Sequence, residues 1–218
     1  MKSLSYTQEF FMCAINEKGK LPLFMEDEIY FGILAGALLE LISDGFIQAD
    51  EKDKYSVVKA LTADKVYLKS LYATIDAKPA KLSVIVEQYF ASKLSKQLFS
   101  AIGESLADAG YADESVRQGF FGDRTLYIPK SEWVNSIVEK VRAELLESGT
   151  VTDETIVLCA MLEKSGMIKD YFSKFESDRL KTRLKEIKTN DQYAEICEII
   201  EYYNQIVAAL IVIISAAT

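Results

Sequence analysis

The sequence predicts a mainly α fold: one domain over residues 1–218, with an apolar central helix bundle, amphipathic helices around it and two β-hairpins. Three observations carry this expectation. Apolar residues make up 50% of the 218, enough for one sizeable core. They recur at helical spacing through most of the chain, which holds only 3 prolines and no linker-like stretch. Twice a helical run stops at a glycine, Gly45 or Gly110, and leads straight into strand-like residues around a polar or glycine-rich turn.

Taken in order, residues 5–16 read as a helix ending at the turn Glu17-Lys18-Gly19-Lys20. Residues 27–43 form a strongly apolar helix closed by Asp44-Gly45, in which Gly32 and Gly36, four apart, leave room for a close neighbour. Residues 46–49 and 55–58 flank the polar stretch 50–54 as a first hairpin. A short helix over 62–74 precedes a long helical stretch over 81–109, with a break expected near Phe90. The second hairpin pairs residues 111–117 with 124–128, stopped by Pro129, around a turn with two glycines. Residues 131–147 are amphipathic with Ser131 as N-cap, and 152–164 open on Asp153 and Glu154, which suit the positive end of a helix dipole. A charged helix over 167–188 and a last helix over 191–217 complete the chain.

Within that last helix, residues 206–217 are apolar but for Ser215. Twelve helical residues reach about 18 Å at 1.5 Å each, short of a hydrocarbon core about 30 Å thick. They are expected inside the protein rather than in lipid.

Composition excludes several chemistries. There is no histidine, so Ser-His-Asp and Cys-His catalysis and His-bearing zinc sites are out. No phosphate-binding loop, dinucleotide fingerprint or calcium-loop spacing occurs. Cys13, Cys159 and Cys197 lie in apolar stretches without C-x-x-C spacing and read as buried thiols of a cytoplasmic protein. No cofactor or metal is expected, and an enzyme ranks behind two kinds of binding protein. The formal charge of −8 opposes nonspecific nucleic-acid binding.

Two stretches run against that charge. Between residues 78 and 96, Lys78, Lys81, Lys93 and Lys96 face only Glu87. Between 169 and 188 seven basic residues face four acidic ones, and Lys181, Lys185 and Lys188 share one helix face. Clustered lysines act locally despite an acidic total, so Lys96, Lys181, Lys185 and Lys188 are candidates for anionic lipid headgroups or an acidic protein partner. The turn between the second pair of strands carries Phe120 and Phe121, adjacent aromatics where polar residues are usual. They fold back on the core or form a contact with another subunit or a surface.

Residues 32–48 resemble the Golgi phosphoprotein 3 family. The resemblance rests on Leu34-Ala35-Gly36-Ala37-Leu38-Leu39-Glu40-Leu41 followed by Gly45-Phe46-Ile47. Residues 5–21, the passage from 106–110 into 111–129, and residues 155–166 followed by Arg179-Leu180-Lys181-Thr182-Arg183-Leu184 fall in matching order. The resemblance implies the mainly helical fold above and, in eukaryotic members, a peripheral membrane adaptor that binds phosphatidylinositol 4-phosphate through a tryptophan and several arginines. In this sequence the tryptophan position falls on Met25, one arginine on Leu34 (or Ala35 with Gly36 as anchor), and two more on Lys96 and Phe99. Only Lys96 is cationic, so the resemblance implies the fold more strongly than the headgroup pocket. In matching members the second hairpin sits between subunits, implying self-association through Phe120 and Phe121. The first expectation is therefore a non-enzymatic binding protein, peripheral on an anionic membrane or docked on a protein. The alternative is a winged-helix-like regulator acting on a protein or nucleic acid, suggested by the repeated helix–glycine–hairpin outline.

Overall fold

A computed structural model describes residues 4–23, 25–91, 94–118, 123–147, 150–190 and 193–215, with the side chains of all but 90, 91, 195 and 209–215. Helices dominate, and two antiparallel hairpins accompany them. Helix α1 spans Tyr6–Ala14 and α2 Glu26–Ser43; strands β1 and β2 are Ile47–Ala49 and Tyr55–Val57. A 3-10 turn over Ala63–Leu68 leads into α3 at Lys69–Ala77, followed by α4 at Leu82–Ala91 and α5 at Leu94–Asp108. Strands β3 and β4 are Ala112–Arg117 and Arg124–Pro129. Then come α6 at Ser131–Val141, a π turn over Arg142–Leu146, α7 at Asp153–Lys164, α8 at Ile168–Tyr171, α9 at Lys174–Lys188 and α10 at Ala194–Ser215.

The core is built on α2. Its side chains from Phe31 to Leu41 are all buried, as expected of a helix apolar on every side. Helices α1, α3, α5 and α10 pack around it. The small residues of α2 are filled by side chains rather than by a neighbouring backbone. A Cβ on Gly32 would lie 2.7 Å from the Phe10 ring, and one on Gly36 would lie 2.7 Å from Thr7 Oγ1 and 2.8 Å from Met161 Cε.

Both hairpins leave their helices through the same device. Gly45 and Gly110 have φ of +68° and +81°, a left-handed conformation that glycine adopts without strain. At α2 the Phe46 amide donates to Leu41 O and the Gly45 amide to Ile42 O, both at 2.9 Å. At α5 Tyr111 donates to Leu106 O and Gly110 to Ala107 O, again at 2.9 Å. This double bond pattern satisfies carbonyls that a helix end otherwise leaves orphaned. In each case the next residue, Phe46 or Tyr111, is buried, so the exit also anchors the hairpin to the core.

Several expectations need correction. Helix α1 ends at Ala14 with Ile15 extended, and the turn after it is held by the Asn16 side chain, which accepts from the Lys18 and Lys20 amides. The 62–74 stretch is a 3-10 turn plus an α-helix that runs on to Ala77. Ser131 is not an N-cap: Lys130 takes that place, because its amide still bonds Tyr111 O at 3.0 Å and keeps it in the hairpin's extended path. Pro129 does not stop β4 short but is its last residue, paired with Ala112. The 131–147 stretch ends in a π turn, closed by the Glu147 amide on Arg142 O at 3.1 Å. The 167–188 stretch is two helices, because Ser173 starts a new one through a capping box with Glu176. The break expected near Phe90 cannot be followed past Ala91, because residues 92 and 93 lie outside the described residues. In α10, Tyr203, Ile206 and Val207 are buried, while the side chains beyond 208 lie outside the described residues. Among the described residues, no helix is long and apolar enough to cross a membrane.

One close approach sets the position of the second hairpin. A Cβ on Gly103 of α5 would lie 2.2 Å from the Tyr127 ring on β4, well inside van der Waals contact. Gly103→Ala should therefore destabilise the protein by about 1–3 kcal/mol through overpacking. In a Tyr127→Ala background the same substitution should cost little, so urea denaturation of the four proteins should give a coupling well above 0.5 kcal/mol, roughly the level of independent sites.

Candidate functional site

The basic candidates lie on two separate elements. On α9, Ser177, Leu180, Leu184 and Ile187 are buried, a helical stripe that packs toward α7, α8, α10 and the π turn. The other side carries Lys181, Lys185 and Lys188, all exposed. Among the described residues none of these three lysines forms an ion pair. The acids of α9 are partly neutralised within the protein: Glu176 accepts from Arg142 Nε at 2.8 Å, and Glu186 accepts from Arg183 at 3.3 Å.

Arg142 is the hub that fixes α9. Its guanidinium also reaches Glu139 at 2.6 Å and Tyr171 O at 3.1 Å, and it stands 5.3 Å from the centre of the Phe172 ring. Near the start of the same helix, Phe175 is 71% exposed, with the Arg179 guanidinium 5.8 Å from its ring centre. Arg179 in turn donates to Leu146 O at 3.0 Å. An apolar ring standing in water is the kind of feature that marks a contact surface. The sequence reading missed Phe175 because a single phenylalanine in a charged helix looks like a core residue until its face is known.

Lys96 is exposed in the first turn of α5. That helix packs with α1, α2, α3, α4 and the second hairpin, so its surroundings differ from those of α9. The neighbouring positions are apolar. Leu34 is 1% exposed and Ala35 is buried, Met25 is half-buried against the core, and Phe99 stacks between Phe11 and Tyr30, ring centres 4.6 and 5.3 Å away. Where the resemblance places headgroup-binding side chains there is thus an aromatic seal. Burial pushes the Tyr30 hydroxyl up, Glu26 adds to this, and the Arg124 guanidinium of β4 opposes it. Arg124, exposed beside this seal, is a cation the sequence reading did not single out. Phe120 and Phe121 lie outside the described residues.

A third feature is a groove of about 1790 Å³ bounded by α1, the end of α2, the 3-10 turn, α3, α5, α6 and the start of α7. Its floor holds two nearly buried carboxylates. Glu40 is 1% exposed and accepts from Lys65 Nζ at 2.8 Å and from the Tyr67 hydroxyl. Glu9 takes Lys140 Nζ on both oxygens, at 2.6 and 2.7 Å. Burial raises the Glu9 carboxyl above the usual range despite Lys140. For Lys65, burial acts to lower it, but Glu40 and Asp44 outweigh this and hold it above the ordinary lysine value. Among the described residues no group of three or more Cys, Asp or Glu could hold a metal ion.

The Arg142–Glu176 pair gives a pH signature for the seating of α9. Hydrogen bonds from Arg142 and Ser173 hold the Glu176 carboxyl at about 2, against an ordinary 4.5. A depressed carboxylate stabilises the fold above its unfolded value, and that contribution is lost as pH falls from about 4.5 through 2. Glu176→Gln should lower urea stability at pH 7 and lower it measurably less at pH 3.

No curated protein matches the chain. The family model described as Golgi phosphoprotein 3 (GPP34) matches residues 7–201, from α1 into α10, and so includes both hairpins, α9 and most of the groove. With its helical architecture and paired hairpins, the chain belongs to the Golgi phosphoprotein 3 family.

Proposed function

We propose that this chain is a non-enzymatic binding protein that docks peripherally on an anionic membrane surface through the outer face of α9. The observation that carries this reading is the exposed row Lys181, Lys185 and Lys188 on a helix whose buried stripe is fixed to the core; Phe175 is exposed nearer the start of the same helix. Lysines supply long-range attraction and the ring supplies apolar contact at the interface. Family membership supports the reading. Lys96 and Arg124 add positive charge elsewhere on the surface.

Headgroup selection is not part of this proposal. Met25, Leu34 and Phe99 offer no charge, and lysine is a point charge rather than the planar fork that grips phosphate bidentately. Binding should therefore depend on surface charge density rather than on one lipid. The winged-helix alternative needs an exposed cationic helix before a hairpin, whereas α2 is buried from Phe31 to Leu41 and α5 enters its hairpin with the exposed acids Glu104 and Asp108.

Each lysine near an anionic surface contributes on the order of 1 kcal/mol, within a Debye length of about 8 Å at physiological salt. Lys181→Gln with Lys185→Gln should thus weaken binding to phosphatidylserine vesicles by about 30-fold. Phe175→Ser should weaken it while leaving the circular dichroism unchanged. Flotation across a salt series checks this. Salt-insensitive selection of one phosphoinositide, or full binding by the double variant, would overturn the reading.

A further inference from the structure

The second hairpin has two outer edges, and they differ in protection. The Lys130 amide donates to Tyr111 O at 3.0 Å, so these residues form a bonded pair at the base of the ladder. Antiparallel strands alternate bonded and unbonded pairs. The register therefore turns the amides and carbonyls of Asp113, Ser115 and Arg117 toward β4, and those of Glu114 and Val116 away from it. On β4 the outward set is Thr125, Tyr127 and Pro129. Pro129 has no N–H to offer. The turn at Gly19 lies against the middle of that edge, where a Cβ would stand 3.5 Å from Tyr127 O and 2.9 Å from Leu126 Cβ.

Strand β3 lacks such protection. Residues 113–117 are all exposed, Val116 to 62%. The strand contains neither proline nor lysine, and its register with β4 runs from Ala112 to Arg117 without a bulge. Those are the devices that usually keep an edge from pairing. Among the described residues no hydrogen bond reaches the Glu114 or Val116 backbone. Charge then selects what fits. Arg117 stands directly opposite Arg124 in the ladder, an unfavourable pairing of like charges, and among the described residues it forms no ion pair. Asp113, four residues away on the same strand, is 71% exposed and only 3.7 Å from Lys130 at its single ion pair among the described residues.

We propose that a second copy of this chain adds antiparallel to the β3 edge, joining the two hairpins into one continuous sheet about a two-fold axis at Ser115. In that register Glu114 of each copy lies opposite Val116 of the other. Both residues face outward, so each such pair exchanges backbone hydrogen bonds. Asp113 of each copy lies opposite Arg117 of the other, at the unbonded positions where side chains come closest. Charge selects this register over its neighbours. An axis at Glu114 sets acid against acid, and an axis at Val116 leaves Asp113 with no strand residue opposite. The contact rests on main-chain groups and these charge pairs rather than on the turn that carries Phe120 and Phe121. It is independent of the membrane reading, since none of its residues lies on α9.

Sedimentation equilibrium over a concentration series tests it, and a monomer–dimer equilibrium is expected. Val116→Pro should abolish the dimer while the circular dichroism stays that of the parent, because this N–H bonds nothing within the hairpin and proline is tolerated at such edge positions. Asp113→Arg alone and Arg117→Asp alone should each weaken self-association by roughly ten-fold, since like charges then face each other across the axis. Mixed together, the two variants should pair about as tightly as the parent, because both arginines of one meet both acids of the other. A misfolded variant could not give that recovery. A monomer mass throughout the series, a dimer untouched by Val116→Pro, or a mixture no heavier than its components would overturn the proposal.

Discussion

A helix that is apolar on every side has to be covered on every side, and α2 imposes that constraint on the rest of the chain. Helices α1, α3, α5 and α10 pack around it, which consumes their apolar faces and directs their polar faces outward. Both hairpins are excluded from the centre and attach by anchors, Phe46 and Tyr111, at the ends of α2 and α5. The one carboxylate within the buried part of α2, Glu40, sets a further demand. A buried charge needs partners, and the 3-10 turn brings Lys65 and Tyr67 to it. The tight geometry of residues 63–68 thus follows from a charge twenty-five positions earlier.

The local signals of this fold were legible. Glycine followed by a buried aromatic residue marks the exits of α2 and α5, because the left-handed turn is chemically specific to the residue that makes it. The apolar character of 27–43 gave its central place. Other features were present as spacing but went unread: Ser5 with Gln8 and Ser173 with Glu176 are both capping boxes, and the second explains why the 167–188 stretch is divided. Gly103 looked like an ordinary helix residue, since nothing in its neighbours announces that Tyr127 will lie on it.

The surface features were legible in proportion to their locality. Lys181, Lys185 and Lys188 lie on one helix, so their common face followed from period alone. The groove did not, because its walls come from segments more than a hundred residues apart; the Glu9–Lys140 pair spans 131 positions. In the sequence its acids are scattered among lysines that balance them. Only folding shows that Lys65 and Lys140 are spent on the floor while Glu104 and Asp108 are left on the wall.

The π turn after α6 has a consequence for how chain length is tolerated. A π turn is an α-helix carrying one surplus residue, and each helical residue advances the chain by about 100° and 1.5 Å. Deleting any one residue of 142–146 would let the hydrogen bonds close as an ordinary helix. The segments on either side would then be rotated by that step relative to each other. Upstream, Trp133, Ile137 and Lys140 face the groove; within the turn, Arg142 and Leu146 hold α9. A relative that lacks the surplus residue must have re-sited one of these two sets of contacts, so a single gap at this point in an alignment would be a marker of changed surface geometry rather than of neutral drift.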